Sequence, residues 1–229
     1  MRTVAETGST NADMAELARN GASEGLWLRA ERQTSGKGRQ GRTWDSPAGN
    51  LYISTLVRVR AGEPSPATLA LVAAVALEEA VSLFGVRPML KWPNDLLVDG
   101  AKLSGILLER VEDAVIIGFG VNLAHHPVDL DRLATSVAAH APAPDPQVFA
   151  ETLAEIFARW LSRWRDGIAP VRDRWLARAH PIDTALTARL ADGSSEDGLF
   201  GGLDAQGALI LRLAGGATRV IHAGDVFLL

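Results

Sequence analysis

The spacing of apolar and polar positions divides the chain into two regions with different predicted secondary structure. In the first region, apolar runs of strand length alternate with longer segments in which apolar residues recur with the period of a helix. The predicted strands are 26–30, 51–57, 87–92 and 114–123, and the predicted helices are 12–19, 65–84, 147–165 and 171–179. This order predicts an α/β domain built on a mixed β-sheet.

From Thr184 onwards the pattern changes to short apolar runs separated by turn-forming residues. The predicted strands are 184–190, 199–204, 208–213, 218–222 and 226–229. Five short strands joined by glycine-containing turns are typical of a small β-barrel. We therefore predict two domains, 1–182 and 183–229. Because the second domain has no cluster of chemically reactive side chains, we expect it to play a supporting role.

A β-hairpin is predicted at Asp99-Gly100, which separates two apolar runs. Asn94 and Asp95 precede the first run, and Lys102 begins the second. The apolar neighbours of Lys102 indicate that its ammonium group is partly desolvated and faces an anion. The alternative is a lysine that protects an edge strand from aggregation.

The segment 34–44 combines three glycines with Lys37, Arg39, Arg42 and Trp44. Glycine lets the backbone approach a ligand closely, and the cations suit phosphates or carboxylates. The indole of Trp44 offers a flat surface for stacking. The segment therefore predicts an anion-binding loop, and a solvated basic hairpin is the alternative.

A Gly-x-Gly-x-x-Gly pattern begins at Gly36 and matches the dinucleotide-binding motif. That motif requires a helix directly after the glycines. Here turn-forming residues at 45–50 are followed by a predicted strand. We therefore reject a dinucleotide-binding domain, and a phosphate-binding P-loop motif is absent from the sequence.

Two further segments, one before the first helix and one in the last strand of the first region, contain candidate ligand-binding residues. Ser9-Thr10-Asn11 precedes the first helix, where one residue could cap it, or all three side chains could bind a polar ligand. Gly118 and Gly120 interrupt an otherwise apolar strand, which indicates close approach of a ligand or another chain segment. Asn122 lies at the end of that strand, and we interpret the histidines that follow as loop residues.

Composition narrows the class of protein. The chain has 229 residues, a formal net charge of −4 and no cysteine. Net acidity argues against a general nucleic-acid binder, and the missing cysteines fit the cytoplasm. We see no signal peptide, and the longest apolar run, 69–77, is too short to span a bilayer. We expect a cytoplasmic protein without a membrane partner.

Five motifs together resemble the biotin protein ligases, also called biotin–[acetyl-CoA-carboxylase] ligases. They are Ser9-Thr10-Asn11, the loop from Gly36 to Trp44, Lys91-Trp92-Pro93-Asn94-Asp95, the segment from Lys102 to Glu109, and Gly118-Phe119-Gly120-Val121-Asn122. The C-terminal region looks like the SH3-like domain of that family. The resemblance implies a class II synthetase-like α/β catalytic domain followed by an SH3-like barrel.

The resemblance implies a reaction in two steps. Biotin and ATP, with Mg²⁺, form biotinyl-5′-AMP, and a lysine of a biotin carboxyl carrier domain of a carboxylase then accepts the biotin. It implies biotin-binding residues Ser9, Thr10, Asn11, Gln33, Gly36, Lys37, Gly38, Arg39, Lys102 and Gly105. It implies ATP-binding residues Arg39, Arg42, Trp44, Asn94, Lys102 and Asn122. The implied catalytic residues are Lys102, Arg39 and Asp95, with Asp95 orienting Mg²⁺ or the incoming lysine.

Two alternatives to biotin ligation are a lipoate or octanoate ligase and a non-catalytic regulator that binds nucleotides or DNA. The basic loop and Lys91-Trp92-Pro93-Asn94-Asp95 favour biotin, although the family often has arginine where this chain has Lys37. Because Ser9 lies near the first residue, we expect no DNA-binding helix-turn-helix domain. Relatives often form homodimers, but the sequence identifies no self-complementary surface.

Overall fold

The computed structural model describes residues 1–128, 133–190 and 192–229. Two β-sheets and four α-helices form the fold. The strands are β1 (Arg2–Thr7), β2 (Trp27–Gln33), β3 (Leu51–Arg58), β4 (Met89–Lys91), β5 (Asp95–Val98), β6 (Ala101–Val111), β7 (Ala114–Val121), β8 (Ala185–Leu190), β9 (Ser195–Leu203), β10 (Leu209–Arg212), β11 (Thr218–Ile221) and β12 (Gly224–Leu228). The helices are α1 (Thr10–Arg19), α2 (Leu69–Leu83), α3 (Pro146–Arg165) and α4 (Ala169–Leu176).

The first seven strands form one mixed sheet in the order β1-β2-β3-β7-β6-β5-β4. Only β1 and β2 run parallel, and the other neighbours are antiparallel. The predicted strands and helices of this region are therefore confirmed. The predicted strand 87–92 is shorter than expected because Pro88 and Pro93 flank it and cannot donate hydrogen bonds to the sheet.

The two faces of this sheet are covered by different helices. On β3, Ile53 packs into the large core that contains α2 and α3, whereas Leu56 packs with Met14 of α1. This alternation follows the two-residue period of a strand. The side chain of Ser54 therefore shares the α1 face with Leu56, and this face carries the polar residues described below.

Helix α2 is buried on most of its surface, as its apolar sequence predicts. The helical segment Pro66–Leu83 has the length and the apolar composition that crossing a bilayer requires. It is longer than the uninterrupted apolar run 69–77 noted from the sequence. However, 67% of it is buried inside the fold. The core helix of a soluble protein meets the same description.

The hairpin at Asp99-Gly100 is confirmed. Both residues have positive φ angles, 50° and 79°, which two-residue turns with the twist of a hairpin require. The turn joins β5 to β6, and β6 lies between β5 and β7. Lys102 is therefore on an interior strand, and the alternative of an edge-strand lysine is wrong.

The five strands predicted at the C-terminus are confirmed and form an antiparallel sheet in the order β11-β10-β9-β8-β12. In the part of the chain that the structure describes, β11 and β12 are the two ends of this order. The sheet is therefore open where the sequence predicted a closed barrel. The predicted boundary at 182–183 falls between α4 and β8.

Candidate functional site

A cavity of about 590 Å³ lies on the polar face of the large sheet. Every residue predicted for the site except Gly36 lines it. These residues are Ser9, Thr10, Asn11, Gln33, Lys37, Gly38, Arg39, Arg42, Trp44, Asn94, Asp95, Lys102, Gly105 and Asn122. The fold thus brings together side chains that are more than 100 positions apart in the sequence.

Gly36 does not line the cavity but packs against the backbone of the loop. A Cβ atom at this position would lie 2.5 Å from the carbonyl oxygen of Trp44 and 2.7 Å from Ser46 Oγ. The Gly36 carbonyl also accepts a hydrogen bond of 2.9 Å from the Trp44 amide. Only glycine fits this close contact, so Gly36 fixes the backbone that carries Trp44.

Part of the cavity wall is formed by a network of hydrogen bonds between polar side chains. Gln33 Oε1 accepts from the Thr10 amide at 2.8 Å, and Thr10 Oγ1 lies 2.7 Å from Ser54 Oγ. Ser54 Oγ donates to Asn11 Oδ1 at 2.6 Å, and Asn11 Nδ2 donates to Glu109 Oε2 at 2.7 Å. Sequence reasoning missed Ser54 and gave Glu109 no role, because their partners are remote in sequence.

Ser9 occupies the N-cap position of α1, but its side chain makes no capping hydrogen bond. Thr10 and Asn11 are the first residues of the helix, and their side chains join the network at the cavity. The capping alternative therefore explains none of the three side chains. Gly118 makes room for the network, since a Cβ atom there would lie 2.1 Å from Asn11 Oδ1.

Lys102 and Asp95 form the charged centre of the cavity. Lys102 Nζ donates to Asp95 Oδ1 at 2.6 Å, and Lys91 Nζ lies 3.4 Å from Asp95 Oδ2. The Lys102 ammonium also lies 5.7 Å from the centre of the Trp44 ring. As expected, Lys102 faces an anion, and the hairpin between β5 and β6 places that anion beside it.

The residues at the cavity do not fit a protein-held Mg²⁺ ion. Among the residues that the structure describes, no group of three or more histidine and carboxylate side chains could hold a metal. Asp95 stands between two ammonium groups, which occupy both of its oxygens. Mg²⁺ is usually held by one or two carboxylates together with substrate phosphates. Asp95 therefore forms ion pairs with Lys102 and Lys91 in this structure.

Trp44 lies on a strip of glycine backbone. A Cβ atom at Gly120 would lie 2.6 Å from Trp44 Cε2, and one at Gly105 would lie 3.3 Å from Trp44 Cζ3. Within the described residues, the indole nitrogen is buried without a hydrogen-bond partner. Gly105 on β6 and Gly120 on β7 thus allow an aromatic ring to lie against the sheet.

The basic loop is bound to the C-terminal sheet. Arg39 Nη1 lies 3.2 Å from Asp225 Oδ1, and Arg39 Nη2 donates to the Gly224 carbonyl at 3.1 Å. Arg42 forms a second ion pair with Asp225. The loop is therefore a hairpin, paired between Lys37 and Thr43, whose two arginines are ion-paired with the C-terminal sheet rather than fully solvated. The supporting role expected of the C-terminal domain takes a specific form, because Asp225 lines the cavity and pairs with both arginines.

Two asparagines at the ends of strands are held by the surrounding backbone. Asn94 Oδ1 accepts from Arg39 Nη1 at 3.3 Å, and Asn94 Nδ2 donates to the Ile106 carbonyl. Asn122 Nδ2 donates to the Thr135 carbonyl at 2.9 Å. A third asparagine, Asn50, was missed by sequence reasoning.

Asn50 holds the segment that follows β7. Its Oδ1 accepts from the backbone amides of Leu123, Ala124 and His125 at 2.9, 2.9 and 3.0 Å. Its Nδ2 donates to the His125 carbonyl at 2.9 Å. Asn50 thus fixes the backbone directly after Asn122, while its own position before β3 reads in the sequence as an ordinary turn.

Comparison with known proteins agrees with this architecture. Residues 7–122 match the model of the biotin/lipoate A/B protein ligase family, and residues 186–229 match that of the biotin protein ligase C-terminal domain. The chain is 41% identical to a biotin–[acetyl-CoA-carboxylase] ligase of Paracoccus denitrificans, over 98% of both chains. It is 38% identical to the ligase of the same name from Mycobacterium tuberculosis, over 97% of this chain and 86% of the relative.

The fold is similar to that of a solved biotin protein ligase from Aquifex aeolicus in complex with biotin and ATP. The TM-score is 0.88 at 25% identity, and the match covers 100% of this chain and 97% of the other. The chain belongs to the biotin/lipoate A/B protein ligase family.

Proposed function

We propose that the protein is an ATP-dependent biotin protein ligase that activates biotin as biotinyl-5′-AMP and transfers it to a lysine of a carrier domain. The observation that carries the proposal is that the lining of one cavity divides into neutral hydrogen-bonding side chains, among them Thr10, Asn11 and Gln33, and cations, among them Lys37, Arg39 and Lys102. Biotin has the same division, with a neutral ureido ring at one end and a carboxylate at the other. The Paracoccus relative's name gives the same activity.

In the first step, a carboxylate oxygen of biotin attacks the α-phosphorus of ATP, and the bond to pyrophosphate breaks. Both reactants are anionic, so the transition state gathers negative charge at one place. Preorganised cations stabilise such a transition state. Lys102 and Arg39 supply them, and β6 and Asp225 hold the two side chains in position.

In the second step, the amine of an acceptor lysine attacks the carbonyl carbon of the adenylate. The amine loses a proton, and AMP leaves with the electrons of the acyl–oxygen bond. Each oxygen of Asp95 can accept a second hydrogen bond beyond the one to Lys102 or Lys91, so Asp95 is suited to orient the attacking amine. Closure of the basic loop over the adenylate protects the anhydride from water until the acceptor arrives.

Three further expectations belong to this proposal. Mg²⁺ enters with the phosphates of ATP, since the protein offers no complete donor set among its described residues. The acceptor is the biotin carboxyl carrier domain of a carboxylase. The formal net charge of −4 argues against DNA as a partner, and a homodimer remains an expectation from the family resemblance.

Native mass spectrometry tests the proposal. The protein is incubated with ATP, Mg²⁺ and either biotin or lipoate. We expect a bound mass equal to biotinyl-AMP with biotin and no adduct with lipoate. A lipoyl-AMP adduct alone would keep the adenylation chemistry and overturn the substrate. The absence of both adducts would favour a non-catalytic binding protein.

A further inference from the structure

The neutral part of the cavity wall is held by a series of hydrogen bonds, and the protons that each group carries decide which atom donates in each of them. The series runs from Glu109 through Asn11 and Ser54 to Thr10. Ser54 is 0% exposed, and Thr10 and Asn11 are 4% and 5% exposed. Buried polar atoms of this kind depend on one another for their hydrogen bonds.

Glu109 determines which atom donates and which accepts in this series of hydrogen bonds. A carboxylate only accepts hydrogen bonds, so the protonated amide nitrogen of Asn11 must face Glu109 Oε2 at 2.7 Å. The amide oxygen of Asn11 therefore faces Ser54. The reverse orientation of the amide would place two unprotonated oxygens against each other.

The hydroxyl protons of Ser54 and Thr10 can then be assigned to two short hydrogen bonds. Asn11 Oδ1 carries no proton, so Ser54 donates across the 2.6 Å contact. Because Ser54 has no second proton, the Thr10 hydroxyl donates across the 2.7 Å contact and shares its proton with Gln33 Oε1 at 3.1 Å. Thr10 Oγ1 therefore presents only lone pairs to the cavity that it lines.

Gln33 completes the pattern with a donor. Its Oε1 is occupied by Thr10, and its Nε2 donates one proton to Ser46 Oγ at 3.2 Å. Ser46 in turn donates to the Trp44 carbonyl at 3.0 Å. An amide nitrogen carries two protons, so Gln33 keeps one for a ligand. This part of the cavity wall thus offers an acceptor from Thr10 and a donor from Gln33.

We infer that Glu109 and Ser54 are positioning residues that determine specificity, because through Asn11 they hold Thr10 Oγ1 as an acceptor and select a head group carrying an N–H next to a carbonyl. The inference rests on the proposed function and specifies which chemical groups of the ligand the cavity recognises. A ureido ring has both groups, whereas the dithiolane ring of lipoate has neither. A site with buried polar groups strongly rejects a ligand that leaves them unpaired.

The test compares biotin with its two mono-N-methyl ureido derivatives in adenylate formation. The protein variants are Ser54→Ala and Glu109→Ala. In each variant we expect kcat/KM for biotin to fall about three- to tenfold, the effect of one hydrogen bond. The derivative methylated at the nitrogen that faces Thr10 has no N–H to lose, so its kcat/KM should stay nearly unchanged. The other derivative should behave like biotin.

The matched control is Thr55→Val. Thr55 is the next residue on β3, is 1% exposed, and donates to the Leu26 carbonyl at 2.8 Å on the face away from Ser54. This variant loses a buried hydroxyl but should keep the full preference for biotin over both derivatives. Because Glu109 is exposed, Glu109→Ala tests the chain of hydrogen bonds even where Ser54→Ala does not fold.

An equal loss of kcat/KM for biotin and both derivatives would overturn the inference, because it would assign Ser54 and Glu109 a structural role only. Failure of the unaltered protein to form any adenylate from biotin and ATP would contradict the proposed function instead. The two failures are therefore distinguishable in one set of assays.

Discussion

Arg39 and Asp225 form an ion pair with a distance of 3.2 Å between Nη1 and Oδ1, and it joins the basic loop to the last strand of the chain. The two residues are 186 positions apart. Side-chain exposure is 26% for Arg39 and 13% for Asp225, so the pair is partly shielded from water. The C-terminal sheet therefore helps to order a glycine-rich loop that would otherwise lose more conformational entropy on binding a ligand.

This relationship predicts the behaviour of Asp225→Asn. Loss of the carboxylate removes the ion pairs to Arg39 and Arg42 and leaves the loop less ordered before the ligand binds. We expect biotinyl-AMP to dissociate about three to ten times faster, because each of the two partly exposed ion pairs contributes up to about 1 kcal/mol. Stopped-flow measurement of adenylate release checks this. Slower release would show instead that Asp225 competes with the ligand for Arg39.

Removal of the cation itself should have a different effect. Arg39→Ala removes a guanidinium that lines the cavity and contacts Asn94. We expect weaker retention of the adenylate and a lower kcat, because a charge that faces the phosphate and carboxylate is lost. Adenylate release and single-turnover rates measure the two effects. Arg163→Ala, which removes a guanidinium stacked on Trp160 away from the cavity, is the control.

Lys102→Ala should be the most damaging single change in the site. Its ammonium is held at Asp95 Oδ1, whereas Lys91, the other ammonium at Asp95, is held at Oδ2 and at the Val226 carbonyl. We expect kcat for adenylate formation to fall about a hundredfold or more, as for other preorganised groups that stabilise transition-state charge. Pyrophosphate exchange measures the rate, and circular dichroism verifies folding. Full activity would remove Lys102 from the chemistry.

The glycine strip under Trp44 predicts a steric effect. Gly120→Ala places a methyl group where the indole now lies, so Trp44 must move away from β7. We expect the basic loop to become more susceptible to proteolysis and the affinity for biotin to fall. Gly8→Ala adds the same methyl group where no atom lies within 4 Å, and it should leave both properties unchanged. Equal protease resistance in the two variants would contradict the contact.

The elements of the fold were largely predictable because each has a local signal. Apolar periodicity identified α2 and α3, and Asp99-Gly100 identified the hairpin that positions Lys102. The open edge of the C-terminal sheet was not predictable, because closure depends on whether β11 meets β12 and neither strand encodes that contact alone.

The candidate site was predictable where its residues form motifs and unpredictable where they act across the fold. Lys102, Arg39 and Asn11 lie in segments with unusual local composition. Ser54, Asn50 and Asp225 do not, since each is a common polar residue within a strand or a turn. Their roles arise from partners such as Asn11, the amides after Asn122, and Arg39, and only the folded chain brings these groups within hydrogen-bond distance.

His180, which precedes the C-terminal sheet, predicts a pH dependence of stability. Its Nε2 is buried without a hydrogen-bond partner among the described residues. Burial, and secondly the Lys91 ammonium, lower the pKa of His180 below its ordinary value of 6.5. The unfolded chain therefore binds a proton more readily than the folded one, and the free energy of unfolding should decrease as the pH falls below about 6.5.

His180→Gln should reduce this loss. A single group of this kind changes the free energy of unfolding by at most about 1.4 kcal/mol per pH unit. Urea denaturation of both proteins between pH 5 and 8, about the range in which histidine titrates, measures the difference. His222→Gln, at an exposed histidine, is the control and should follow the unaltered protein. If His180→Gln shows the same decrease below pH 6.5, other groups cause it and His180 is not the source.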